Sequence, residues 1–138
     1  MNTQTPNPPP AQANGKNGQK TDLFVYGTLM SDEHVKLLIH RKVNSMPAVL
    51  PHYMKVTPNN AFFFIVEKSG SQTSGRLLVG LSKEELERID SFEDEGNLYF
   101  RRKVMVRVGE ERMECDTYVG NVPALQKTFG NNAEFEDR

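Results

Sequence analysis

Only one cysteine, Cys115, occurs in this chain of 138 residues. A lone thiol cannot close an intrachain disulfide, so a disulfide-stapled scaffold is excluded and a reducing compartment is the better fit. Long apolar runs are also missing. The longest, Ala61 to Val66, is six residues long, against roughly 20 for a helix that spans a bilayer. Charge of one sign is equally scarce, with 17 Lys+Arg against 18 Asp+Glu. Residues 1–20 hold two lysines and no acid, which leaves residues 21–138 with 15 Lys+Arg, 18 Asp+Glu and a net charge of -3. Phosphate backbones need a local excess of cations, so nucleic acid is not an expected partner, and neither is a membrane. The N-terminus carries neither the apolar stretch of a secretory signal nor the arginines of a mitochondrial leader. The expectation is a soluble cytoplasmic protein.

What is present is unevenly spread. Residues 1–20 contain four of the eight prolines and little that is apolar, and such a composition cannot offset its ordering entropy. They read as a disordered Pro/Asn-rich tail, followed by a domain over residues 21–120 and a polar, partly ordered tail over 121–138. Leu23 to Tyr26 reads as a short strand, and Ser31-Asp32-Glu33 opens a helix through about Arg41 with Val35, Leu38 and Ile39 on one face. Pro47, Pro51 and Pro58 make Val43 to Pro58 irregular or an edge strand. Ala61 to Val66 reads as a strand buried on both faces, Lys68 to Ser71 as a turn, and Gly75 to Leu81 as the next strand. Ser82 and Glu85 form a capping box for a helix that carries Leu86, Ile89 and Phe92 on one face. Tyr99 to Val108 alternates and pairs through Gly109-Glu110 with Arg112 to Val119. The pattern predicts an α+β fold, a small mixed β-barrel with packed helices and five or six strands.

Two places could carry chemistry. At Tyr26-Gly27-Thr28-Leu29 a strand ends in a glycine, where a ligand can approach the backbone and successive N–H groups can converge on an oxygen; the following helix would add the positive end of its dipole. A plain glycine turn accounts for the same residues. In Asp90-Ser91-Phe92-Glu93-Asp94-Glu95, four carboxylates crowd the end of the capped helix, so each raises its neighbours' proton affinity. A partly buried member could serve as a general acid/base, or the run is a solvated acidic loop. His34 and His40 are six apart and His52 is remote, so no metal-ligand spacing occurs. Cys115 alternates with Met113 and Thr117 and reads as an inert buried thiol. Strand alternation splits Arg101-Arg102-Lys103 between two faces and weakens it as a phosphate clamp.

Together the two places resemble the γ-glutamylcyclotransferase-like family, in the branch of plant avirulence-induced-gene-like proteins and γ-glutamylamine cyclotransferases. Tyr26-Gly27-Thr28-Leu29 resembles its YGTL signature. Ile89-Asp90-Ser91-Phe92-Glu93, followed by Tyr99, Arg101 and Val104, is similar to its second signature, and Gly75 to Val79 to its Gly-x-Leu/Val strand. The resemblance covers residues 22–119. It implies a small barrel with a cavity at its mouth, Glu93 as catalytic acid/base, and Tyr26, Gly27, Thr28, Leu29 and Tyr99 as substrate-binding residues. The implied substrate is a small γ-glutamyl compound, cyclised to 5-oxoproline with release of an amine or amino acid, and no metal or other cofactor is implied. Two departures stand out: Thr57 to Phe62 lacks the family's tyrosine, and Asp94 and Glu95 follow Glu93 where glycine is common. A non-catalytic small-molecule-binding or stress-associated module on the same scaffold is the alternative.

Overall fold

A computed structural model describes residues 20–57 and 63–129. The sequence readings for residues 1–19, for 58–62 and for the chain beyond 129 lie outside the described residues. Five strands, β1 (Thr21–Val25), β2 (Ser45–Val56), β3 (Phe64–Leu81), β4 (Tyr99–Val108) and β5 (Glu111–Gly120), close into a barrel in the order β1-β3-β2-β4-β5. Three helices pack around it: α1 (Asp32–Ile39), α2 (Lys83–Glu93) and α3 (Val122–Phe129). All strand pairs are antiparallel except β1 with β5, which run parallel and close the barrel.

Alternation along β1 explains why both of its faces are apolar. Phe24 points into the barrel, where it meets Leu50, Ile65, Leu77, Val106 and Cys115. Leu23 and Val25 point outward and are covered by Val35 and Ile39 of α1 and Leu86 and Ile89 of α2. A third cluster joins Leu125 of α3 to Val56 and Phe64. The Ser82–Glu85 capping box that opens α2 is present in both directions. Cys115 is buried, and burial pushes its thiol up to about 12, as an inert core residue requires.

Three details differ from the sequence reading. Residues 45–56 form a full strand with neighbours on both sides rather than an irregular segment or an edge strand. The prolines are tolerated because β2 pairs along its length only with β3, while its ladder to β4 is the single pair Val49↔Arg107. The turn read at Lys68 to Ser71 is absent: β3 runs unbroken from Phe64 to Leu81. Its residues 68–71 are instead the extra length of a bulge in β3: Pro51 pairs with Gln72 and Tyr53 with Glu67, so these four residues face His52 alone. His52 there has φ +69 and accepts a hydrogen bond at Nδ1 from the N–H of Gly70, whose own φ is +88. Finally, Val122–Phe129 is a helix with Leu125 fully buried, in a stretch whose polar composition hides its few anchors.

Candidate active site

After β1, Gly27 begins a single 3-10 turn over Thr28–Met30, closed by hydrogen bonds from the N–H of Met30 to Gly27 O (2.9 Å) and of Ser31 to Thr28 O (3.2 Å). The first amides of such a turn have no partner inside it. Among the described residues, the N–H groups of Thr28 and Leu29 have none elsewhere. The backbone is close-packed here, because a Cβ at Gly27 would come within 3.2 Å of the Phe63 ring. Lys55 holds the segment from outside. Its Nζ donates to Tyr26 O at 3.0 Å and lies 4.8 Å from the centre of the Phe63 ring.

This turn forms one wall of a cavity of about 190 Å³. The end of α2 also lines the space, through Phe92 and Glu93, as do Tyr99 and Tyr118. Tyr26 through Leu29, Glu93 and Tyr99 therefore border one cavity, although Glu93 and Gly27 are far apart in sequence. Glu93 carries the only ionisable carboxylate of the lining and, among the described residues, makes no hydrogen bond or ion pair of its own. Burial raises its pKa from 4.5 to about 7. Its charge reaches the three tyrosines around it. Tyr26 is held well above its usual range by burial, then by Tyr99 and Glu93; Tyr99 is raised by burial and then Glu93.

The acidic run thus separates into different jobs, which its composition could not reveal. Crowding of carboxylates is not what tunes Glu93; burial is. Asp90 faces inward and accepts two hydrogen bonds from Arg101 (2.8 and 3.1 Å) and one from the Tyr118 hydroxyl (2.6 Å). Arg101 continues to Asp116 at 2.7 Å, so it is consumed in the structure rather than displayed to a phosphate. Asp94 caps α2 in the left-handed conformation and accepts from the Asn97 side chain. The N-terminus of α1 plays no part in the cavity: the Ser31 hydroxyl accepts from the His34 N–H, and no residue of α1 lines the space.

The tyrosine hydroxyls are mostly engaged with the fold. Tyr26 donates to Tyr118 O at 2.5 Å and Tyr99 donates to Phe63 O at 2.7 Å, so these side chains shape the cavity through their rings and fix its walls. Tyr118 and Phe63 were not singled out in the sequence. Tyr118 sits in an ordinary alternating strand, and nothing local marks it. Phe92, expected on the buried face of α2, is 51% exposed at the mouth, because α2 ends there and its last turn leaves the packed stripe.

Comparison with known proteins extends these observations to the whole domain. Residues 23–135 match the family described as gamma-glutamyl cyclotransferase, AIG2-like. AIG2-like protein D of Arabidopsis thaliana is 33% identical over 101 residues, 70% of this chain and 65% of its own length. AIG2-like protein C of the same plant is 32% identical, with 58% of its length matched. The chain thus spans about three-fifths of the curated relatives it matches. A solution structure from Arabidopsis thaliana aligns with TM-score 0.70 and 26% identity over 86% of this chain and 72% of that one. A solved γ-glutamyl cyclotransferase aligns at 0.66 with 17% identity, over 75% and 68% of the two chains, and speaks for the fold alone. With the glycine turn and the carboxylate that share one cavity both falling inside the matched span, the chain belongs to the AIG2-like γ-glutamyl cyclotransferase family.

Proposed function

We propose that the protein is a γ-glutamyl cyclotransferase with Glu93 as its general acid/base. The observation that carries the reading is a half-buried carboxylate with a pKa of about 7 in the same cavity as a turn with unpartnered amides. In the reaction, the substrate's α-amine attacks its own γ-carbonyl carbon. A C–N bond forms, the five-membered ring closes, and the bond to the leaving nitrogen breaks to give 5-oxoproline and a free amine or amino acid. Because the nucleophile is tethered, ring closure needs little further entropy loss.

The proton inventory suits Glu93. An α-amine has a pKa of roughly 8 and attacks in its neutral form; as its nitrogen bonds to the γ-carbon it becomes acidic and gives one proton to the Glu93 carboxylate. The protonated Glu93 then returns that proton to the departing nitrogen. Charge that develops on the γ-oxygen falls to the amides of Thr28 and Leu29, which need not reorganise to receive it. The rings of Phe63, Phe92 and Tyr99 border the space, and the burial that raises the Glu93 pKa marks a medium less polar than water, in which such interactions are stronger.

Replacement of Glu93 by Gln keeps the shape and removes the base. Release of 5-oxoproline is expected to fall by about 10²–10⁴, with an unchanged circular dichroism spectrum. The substrate panel comprises γ-glutamyl amines, γ-glutamyl dipeptides and glutathione. Full activity in Glu93→Gln overturns the assignment. Binding of panel members without product from the unmodified protein favours a non-catalytic module on the same scaffold.

A further inference from the structure

The last turn of α2 carries Glu93, yet the packing that holds the rest of the helix stops before it. Leu86 and Ile89 are buried, whereas Phe92, next on the same stripe, is 51% exposed. Asp90, Glu93, Asp94 and Glu95 crowd the negative end of the helix dipole, and no basic side chain of that turn offsets them. An ionised Glu93 also gains by leaving the cavity for water, since burial is what raises its pKa to about 7. Left to itself, the turn would swing outward whenever the base form appears.

What holds it is polar and comes from β4. The Arg101 guanidinium forks onto Asp90, three residues before Glu93 and therefore its neighbour on the helix surface; Nε donates at 2.8 Å and Nη2 at 3.1 Å. The third nitrogen, Nη1, donates at 2.7 Å to Asp116 of β5, whose side chain is only 7% exposed. The Arg101 N–H reaches the Glu95 carboxylate at 3.4 Å, so one residue grips the chain on both sides of Glu93. From β5, the Tyr118 hydroxyl adds a 2.6 Å bond to Asp90. A largely buried group of charges is a poor device for stability alone, because desolvation offsets the attraction. A two-pronged guanidinium, however, fixes direction as well as distance. Its charge is also neutralised by Asp90 and Asp116, the latter approached from the surface by Lys103 at 3.4 Å. The other groups that feel the charge of Glu93 are Tyr26, Tyr99 and Tyr118, and none of these carries a positive charge that would draw its proton off.

We propose that Arg101 is a positioning residue: it pins the last turn of α2 to β5 through Asp90 and so keeps the Glu93 carboxylate in the cavity it shares with Thr28 and Leu29. The consequence for turnover rests on the cyclotransferase reading given above. The consequence for Glu93 itself does not.

The test follows Glu93 in the full-length protein by two readouts. One is its titration, by NMR of the side-chain carboxyl carbon; the other is kcat and KM for release of 5-oxoproline from the same substrate panel. Arg101→Lys keeps the charge and loses the fork, and Arg101→Gln loses both. Each is expected to keep the parent's circular dichroism spectrum. The Glu93 midpoint should fall from about 7 towards 4.5, by about one pH unit or more. Loss of a nearby cation by itself would raise that midpoint, so a fall in Arg101→Gln reports release of the turn. On a compound that the parent cyclises, kcat should drop about tenfold to a hundredfold, the penalty for a displaced group, with KM within about threefold of the parent's. A role in stability alone would lower Tm and leave midpoint and kcat in place. If Arg101→Gln fails to fold, Arg101→Lys carries the test. An unchanged midpoint in the folded variants, or Arg101→Lys as active as the parent, overturns the proposal. If the parent releases no 5-oxoproline from any member of the panel, the cyclotransferase reading falls, and the titration alone decides the role of Arg101.

Discussion

A carboxylate with a raised pKa stores an instability that can be measured. Glu93 keeps its proton up to about pH 7 in the folded chain, against 4.5 for the free group. Below pH 4.5 both folded and unfolded chains hold the proton, so the group costs nothing. Between 4.5 and 7 the unfolded chain releases it first, and the folded state loses ground as pH rises; above 7 the full cost of a desolvated charge is in place. Glu93→Gln should therefore match the parent's stability at pH 4 and exceed it at pH 8, as read from urea midpoints. If the two proteins remain equal at pH 8, the carboxylate is not desolvated. The same residue should give kcat/KM an acid limb near pH 7, where the base form is half populated. At this scale the sequence was only partly legible. The cluster of acids drew attention to the right six residues, but their division of labour depended on Tyr118 and Arg101, which arrive from β5 and β4.

Elements hold these residues in place, and two of them rest on single positions. The end of α2 is set by its beginning, because the Ser82 hydroxyl accepts from the Glu85 N–H and the Glu85 carboxylate returns to the Ser82 N–H. Glu85 also receives the Arg41 guanidinium, which holds its carboxyl down at about 2. Ser82→Ala should cost about 1 kcal/mol, visible in chemical denaturation. In β3, a Cβ on Gly75 would lie 2.2 Å from Val25 O and 2.7 Å from Phe24 Cζ. Backbone cannot yield as a flexible side chain can, so Gly75→Ala should lose about 1–3 kcal/mol and disturb β1 just before the glycine turn. A melting temperature equal to the parent's counts against this close approach. The helices and the terminal hairpin were readable because their signals are local: a capping box, a 3.6-residue stripe, strict alternation before Gly109. β2 and the continuous β3 were not. Proline and glycine announce breaks in the chain, and only the tertiary pairing shows that one sits beside a sparse ladder and the other within a bulge.

At the scale of the molecule, the barrel closes by joining segments that are distant in sequence. The β1–β5 junction has one parallel pair, Leu23↔Asp116, and side chains reinforce it: the Thr117 hydroxyl donates to Phe24 O at 2.9 Å and the Tyr26 hydroxyl to Tyr118 O. Thr117→Val keeps the volume but leaves a buried carbonyl without its donor, at a cost of about 1–3 kcal/mol. Hydrogen exchange should then quicken at β1 and β5 ahead of the β2–β3 ladder; uniform quickening would mean that the closure is not a separate weak point. Mixed strands around a barrel could be anticipated from strand number and alternation, but the order β1-β3-β2-β4-β5 could not, since no local pattern encodes which strand lies beside which.

That closure also has a consequence for when the protein can act. The cavity wall formed by Phe24 to Leu29 is made early during synthesis, whereas Tyr118, which lines the same space from the adjoining β5, emerges about ninety residues later. A growing chain can carry the glycine turn, and even Glu93, without possessing a site. On the proposed function, activity arrives all at once with the docking of β5, and turnover measured during refolding would report the final step of assembly rather than its progress.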